Sequence, residues 1–197
     1  MKKGLSEIVC IIDRSGSMAT IRDDAIGGFN TFLAEQKKLP GEARLTLILF
    51  DDEYIKLYDG MNIQDVPDLN ETTYIPRGMT ALLDAIGKTI TAVGERLRNT
   101  PEDERPEKVI VPILTDGMEN DSKEYKSKDK IFKMVNHQKD VYKWEFIYLA
   151  ANQDAVQEGT NYGINAKDCF NFVASGIGTR AAYSSMNATV KSYRNSK

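Results

Sequence analysis

Oxygen-bearing side chains follow one buried strand at close spacing. Residues 8–12 form a short apolar run rich in β-branched side chains, which predicts a strand covered on both faces. Asp13, Ser15 and Ser17 come directly after it, and Gly16 permits a tight turn that would aim one carboxylate and two hydroxyls at one point. Mg²⁺, Mn²⁺ and Ca²⁺ prefer such ligands. The segment therefore predicts a site for a hard cation, although these are also ordinary turn and helix-capping residues.

Two further polar residues stand where predicted elements begin or end. Thr80 opens a helix whose apolar stripe recurs through residues 83–97, and Asp116 follows a buried strand at residues 108–115. Pro112 within that strand requires a missing ladder partner or a bulge. Ligands of open α/β sheets bind beyond the carboxyl ends of the strands. Asp13, Thr80 and Asp116 all fall where such a ligand would lie.

The elements that must position these residues alternate between strands and helices. A helix at residues 21–33 is followed by a hairpin, whose short, charged second strand suits a sheet edge, and by a long polar loop before Thr80. Beyond residue 115 a helix at 129–138 is expected to turn Ile131, Phe132 and Val135 inward. The remaining predicted elements are strands at 144–150 and 169–173 and helices at 152–162 and 179–193. This alternation favours an α/β fold with a mostly parallel sheet covered on both faces.

Composition bounds the class of protein. A chain of 197 residues with 41% hydrophobic content fits one domain, residues 1–197. A net charge of -3 with interspersed signs argues against a nucleic-acid partner. No segment approaches the roughly 20 apolar residues of a membrane span, and no signal segment is evident, so we expect a cytoplasmic protein. Cys10 and Cys169 lie in apolar runs and are expected to be buried free thiols.

Taken together, the motifs resemble the metal-ion-dependent adhesion site (MIDAS) of von Willebrand factor A (vWA) domains. The matching motifs, in the family's order, are Asp13-Arg14-Ser15-Gly16-Ser17, Thr80 in GMTALLDAI and Asp116 in LTDG. The resemblance runs from about Glu7 to the last helix. It implies a three-layer, doubly wound sheet of six strands in the order 3-2-1-4-5-6, with one antiparallel edge strand. That order places Cys10 and Cys169 on the order of 14 Å apart, too far for a disulfide.

The resemblance also implies roles for the five residues. Ser15 and Ser17 would bind the cation through their hydroxyls, Asp13 and Asp116 directly or through water, and Thr80 in either manner. Two carboxylates only just balance a divalent ion, which keeps an affinity for one more anionic oxygen. In this family that oxygen typically comes from an Asp or Glu of a partner. We therefore expect a protein-interaction module that binds Mg²⁺, or alternatively Mn²⁺ or Ca²⁺, and is not an enzyme. It is similar to short bacterial and phage-encoded intracellular members.

Two other functions remain open at this point. A Mg²⁺-dependent phosphoester or nucleotide hydrolase could use a similar cation, but the sequence has no GxxxxGKS-type phosphate cradle and no hydroxyl paired with a visible base. His137, the single histidine, lies in a polar helix end and is expected to be solvated. The third candidate is a structural subunit whose metal stiffens the loops. It predicts that chelation lowers the melting temperature without any acidic partner.

Several neighbouring residues have simpler interpretations. Glu119, Asn120 and Asp121 are expected to turn the chain and cap the next helix, although they could also shape the rim of the site. Arg77 is expected to be a solvated loop residue, although it could also contact a partner carboxylate next to the ion. Asp84 lies one turn after Thr80, where it could support the loop around the metal.

Overall fold

The computed structural model describes residues 1–196, in which six strands and five helices alternate. The strands are β1 (Lys2–Asp13), β2 (Glu42–Phe50), β3 (Tyr54–Asn62), β4 (Pro106–Thr115), β5 (Glu145–Ala151) and β6 (Cys169–Phe172). The helices are α1 (Arg22–Lys37), α2 (Leu82–Asn99), α3 (Lys128–Tyr142), α4 (Ala155–Asn161) and α5 (Gly176–Asn195). Short 3-10 turns at Gly16–Ile21, Ile63–Asp65, Glu102–Glu104 and Ala166–Asp168 connect them.

The strands form one sheet in the order β3-β2-β1-β4-β5-β6, as predicted. β1 runs parallel to β2 and β4, and β5 and β6 continue the parallel pairing. β3 is antiparallel to β2 and forms the edge. Because parallel strands end at the same edge, the ends of β1 and β4 at Asp13 and Thr115 lie side by side.

Helices cover both faces of the sheet, and the sheet separates two hydrophobic cores. Alternate residues of β1 point to opposite faces, so that Cys10 packs in the core under α1 and α5 while Val9 packs in the core under α2 and α3. This explains why the strand is a continuous apolar run instead of an alternating one. Among residues 1–196 no helix combines the length and apolar character needed to cross a bilayer.

The structure refines three expectations for individual elements. β3 has nine residues and is longer than the short edge strand predicted. The β1–β4 ladder pairs Ile8 with Ile110 and resumes at Ile11 with Ile113. Pro112 has no partner in this ladder, as expected for a residue that lacks a backbone N–H donor. The prediction for Phe132 is wrong. Ile131 and Val135 are buried, but Phe132 is 44% exposed because it lies on the outer side of α3.

Both cysteines are free and buried, as expected. Cys10 belongs to the core on one face of the sheet and Cys169 to the core on the other. Burial raises the pKa of both thiols, that of Cys169 to about 11. Both side chains therefore act as small apolar core residues.

Candidate metal centre

The first loop of the site begins where β1 ends. Asp13 is the last residue of the strand, and its Oδ1 accepts a hydrogen bond of 2.6 Å from the backbone N–H of Ser15. This bond turns the chain back on itself, so that the Ser15 and Ser17 hydroxyls lie 3.2 Å apart. The N–H of Gly16 donates to the carbonyl of Gly78 at 3.1 Å, which ties this loop to the segment before α2.

The third loop follows β4 and is joined to the first by two hydroxyl–carboxylate bonds. Ser17 Oγ donates to Asp116 Oδ1 at 2.6 Å. Thr115 Oγ1, the last side chain of β4, donates to Asp13 Oδ2 at 2.6 Å. The neighbouring strand ends therefore bring one carboxylate from each loop into a shared network of hydroxyls.

The second loop brings Thr80 to the same place. The backbone of Thr80 is paired with Asn120 on the third loop, because its N–H donates to Asn120 Oδ1 at 2.9 Å and its carbonyl accepts from Asn120 N at 3.0 Å. Gly117 lies against this pair. A Cβ at Gly117 would meet Thr80 Oγ1 at 3.2 Å and Ser17 Oγ at 3.8 Å, so both hydroxyls face the same glycine.

All five predicted residues thus lie on three interlinked loops at one edge of the sheet. The prediction that Thr80 opens the following helix, however, is wrong. α2 begins at Leu82, and Thr80 does not cap it. The expectation that Glu119, Asn120 and Asp121 cap the following helix is also wrong. Glu119 Oε2 accepts from the N–H of Leu83 at 2.8 Å and so serves the preceding helix. The structure explains this, because the third loop folds back over the amino end of α2.

The two carboxylates are buried, and within residues 1–196 neither is paired with a positive charge. Asp13 and Asp116 are 0% and 2% exposed, and neither forms an ion pair with any residue of the described chain, 1–196. Burial, reinforced by the negative charge of Asp116, raises the pKa of Asp13 to about 6, although the bonds from Thr115 and Ser15 oppose the shift. Burial likewise raises the pKa of Asp116. Two buried acids with no counter-charge are the electrostatic setting that a cation would relieve.

Sequence reasoning missed three residues that hold this centre. Thr115 carries the bond to Asp13 already described, and Tyr74, which is fully buried, donates its hydroxyl to the carbonyl of Asp13 at 2.5 Å. Asn152 adopts a left-handed backbone with φ of 58° and donates its side-chain amide to the carbonyl of Asp116 at 2.8 Å. Each bond joins segments far apart in the chain; Thr115 belongs to the LTDG motif without its bond being predicted, and no local pattern marks Tyr74 or Asn152.

A buried ion pair supports the first two loops from beneath. Arg14 is 6% exposed, and its Nη2 lies 3.0 Å from Asp51 Oδ2 in the turn between β2 and β3. The carbonyl of Asp51 accepts from Ala81 N at 3.0 Å, and Arg77 N donates to the Arg14 carbonyl at 2.8 Å. Arg77 is exposed, as expected of a loop residue, and it also pairs with Asp51 and Glu53.

Asp84 supports the third loop from α2, in agreement with its predicted place. Its carboxylate accepts backbone hydrogen bonds from Lys123, Glu124 and Tyr125 at 2.7 to 3.0 Å. Burial alone would raise its pKa, but these three N–H groups outweigh burial and lower it. Asp84 is therefore a structural carboxylate, in contrast to Asp13 and Asp116.

The donor set fits a hard divalent cation. Within residues 1–196 no group of three or more His, Cys, Asp or Glu side chains is arranged so that it could hold a metal ion by itself. The cluster instead has two carboxylates, and its other oxygens are the hydroxyls of Ser15, Ser17 and Thr80. Mg²⁺ favours such all-oxygen sites and commonly keeps water among its ligands. The uncompensated negative charge of the two buried acids is the observation that favours a cation over a neutral ligand at this cluster.

The sheet, its strand order and its helical layers are those of the vWA fold. The chain is similar to the vWF domain of the type V pili tip protein Mfa5 from Porphyromonas gingivalis. The TM-score is 0.68 at 9% identity, covering 98% of this chain and 97% of that one. At this identity the likeness establishes the fold alone. No protein-family model and no curated protein matches the sequence.

Two longer proteins show the same fold over part of their length. Proximal thread matrix protein 1 (PTMP1) from the mussel byssus, solved with a zinc-occupied MIDAS motif, has a TM-score of 0.63 at 16% identity. The match covers 95% of this chain and 46% of that one. The ArnB paralog VWA2 from Sulfolobus acidocaldarius has a TM-score of 0.56 at 18% identity, covering 97% and 45%. The chain therefore spans about half the length of these two structures.

Proposed function

We propose that this chain is a divalent-cation-dependent protein-interaction module. Mg²⁺ would be held by Asp13, Ser15, Ser17, Thr80 and Asp116, and an Asp or Glu of a partner protein would complete its coordination. One observation carries the proposal, namely the convergence on three loops of two buried, uncompensated carboxylates and three hydroxyls. When bound, the ion would supply the positive charge that the site lacks and attract a carboxylate from outside.

The residues of the chain define what the partner must provide. Asp13 and Asp116 together carry the charge that neutralises a divalent ion, while the hydroxyls add oxygen ligands without further charge. The loops are fixed by hydrogen bonds to one another, so the site is organised before a partner arrives. An anionic oxygen is then the preferred additional ligand, and an acidic side chain is the commonest source in a protein.

We favour binding over catalysis because the potential nucleophiles are already engaged. The hydroxyls of Ser15 and Ser17 contact each other, and Ser17 Oγ donates to Asp116. His137 is exposed on α3, where its ring packs against Tyr142, away from the three loops. The carboxylate that accepts from Ser17, Asp116, would be a ligand of the same cation, so this hydroxyl–carboxylate pair would be held by the metal and not left free as a nucleophile and general base.

The test combines metal binding with reversible capture. Calorimetry should show Mg²⁺ binding to the wild-type protein and to Asp103→Ala, which removes an exposed acid from a 3-10 turn at the other end of β4. Asp116→Ala should abolish it. A partner captured in Mg²⁺, released by chelator and identified by mass spectrometry should lose binding when one of its own Asp or Glu residues is replaced.

Three results would contradict the proposal. Capture of the partner that is unchanged by chelator would show that the interaction does not depend on the metal. A melting temperature lowered by chelator with no acidic partner would support the structural subunit. Mg²⁺-dependent turnover of a phosphoester or nucleoside triphosphate, lost in Asp116→Ala, would establish the hydrolase.

A further inference from the structure

Three exposed apolar side chains lie on the loops that form the metal centre. Ile75 and Met79 are each 51% exposed, and Met118 is 66% exposed. Ile75 and Met79 belong to the segment that leads into Thr80, and Met118 follows Asp116 by two residues. We call Ile75, Met79 and Met118 the apolar rim.

The segment that carries Ile75 and Met79 is anchored on both sides of Ile75. The hydroxyl of Tyr74 donates to the carbonyl of Asp13, and Arg77 N donates to the carbonyl of Arg14. Ile75 is therefore held between two bonds to the first metal loop. Its exposure is a consequence of the fold and does not result from a loose loop.

The two methionines belong to the two loops that meet at Thr80. Met79 directly precedes Thr80 in the chain. Met118 lies between Gly117, which faces the Thr80 hydroxyl, and Asn120, whose backbone bonds to Thr80. Both methionines are thus tied to the backbone around one proposed ligand of the cation.

The positive charge next to the rim is already paired within the protein. Arg77 lies between Ile75 and Met79 in the chain and pairs with Asp51 and Glu53. It is therefore committed to partners of its own and does not offer a second anchor to an acidic ligand. The surface beside the metal centre consequently presents apolar contact area, for which unbranched, polarizable methionine is an adaptable residue.

We propose that the partner segment presents one acidic residue flanked on both sides by apolar side chains, which pack on the apolar rim while the acid reaches the cation. This inference rests on the proposed function and specifies the partner it recognises. A segment with several adjacent acids would leave the apolar rim uncovered, and its extra acids would gain little binding free energy from Arg77, which is already paired. Burial of two half-exposed methionines corresponds to roughly tenfold or more in affinity.

A display library can test this without a known partner. Short random peptides with a fixed central Asp would be selected on the full chain in Mg²⁺ and eluted with chelator. Enrichment of apolar residues at the positions flanking the Asp is the expected result. Peptides so selected should then bind the double variant Met79→Ser/Met118→Ser roughly tenfold or more weakly, with Mg²⁺ affinity unchanged.

Met61→Ser is the matched control. Met61 is a partly exposed methionine near the end of β3. It pairs with Leu45 near the start of β2, so it lies at the opposite end of the strands from the metal loops. It should leave peptide affinity unchanged. Chelator-eluted peptides without apolar flanks, or peptide affinity equal in the double variant and the wild type, would overturn the inference while leaving the proposed function intact. Absence of any chelator-eluted peptide would instead overturn the proposed function and this inference with it.

Discussion

Replacing Asp13 by Asn should have opposite effects on stability with and without the metal. The pKa of Asp13 is raised from 3.8 to about 6 in the folded chain by burial. At about 1.4 kcal/mol for each pH unit, ionisation of this acid costs the metal-free fold on the order of 3 kcal/mol. Asn removes that cost but weakens the bond from Thr115, worth about 1 kcal/mol. In chelator at pH 7 we expect Asp13→Asn to be more stable than wild type by about 1 to 2 kcal/mol.

The pH dependence of this difference follows from the direction of the shift. Because the folded pKa lies above the unfolded value, the favourable contribution of protonated Asp13 is fully present below about pH 4 and is lost as pH rises through about 6. The advantage of Asp13→Asn should therefore be absent at pH 4 and grow to its full size by pH 7. Asp84→Asn is the control with the opposite sign, since the lowered pKa of Asp84 makes its charge stabilising at pH 7.

Urea unfolding across this pH range, in chelator and in Mg²⁺, measures the effect. Saturating Mg²⁺ at about 100 times its Kd should stabilise the wild type by roughly 2.7 kcal/mol and leave Asp13→Asn unchanged, which reverses their order. The reasoning is refuted if Asp13→Asn is less stable than wild type in chelator at pH 7, or if Mg²⁺ stabilises both proteins equally.

The remaining predictions concern the same loops. Thr115→Val should lower the free energy of unfolding by about 1 to 2 kcal/mol, because Asp13 Oδ2 loses its donor, whereas Thr115→Ser should retain most of it; urea unfolding distinguishes them. Mg²⁺ affinity measured by calorimetry should fall about tenfold for each pH unit below about pH 6, because protons compete for Asp13; constant affinity to pH 5 would contradict this. Gly117→Ala should weaken Mg²⁺ binding by crowding Thr80 Oγ1, while Gly94→Ala, which meets nothing within 4 Å, should leave it unchanged.

The parts of the site that follow from local pattern were predictable. Asp13, Ser15 and Ser17 are close in sequence and end a recognisable strand, and the alternation of elements gave the parallel sheet. The resemblance to vWA domains then implied the strand order that the structure confirms. These features could be predicted because they depend on residues close together in the chain or on the order of the strands in the sheet.

The residues that hold the site depend instead on contacts between distant segments. Tyr74 reaches Asp13 across 61 positions, and Thr115 reaches it across 102. Glu119 was expected to serve the helix that follows it, but the third loop turns back and places it at Leu83. Phe132 fitted the helical stripe, yet its position on α3 left it outside the core. A single sequence carries no signal for these placements, because each depends on how distant segments pack together in the folded chain.

The most direct test of the central claim is a crystal structure of the protein soaked in Mn²⁺, with the anomalous signal used to locate the ion. We predict one peak among the oxygens of Asp13, Ser15, Ser17, Thr80 and Asp116, and its loss in Asp116→Ala crystals. Absence of a peak at the three loops, or a peak elsewhere that survives in Asp116→Ala, would contradict the assignment of these residues as a metal centre.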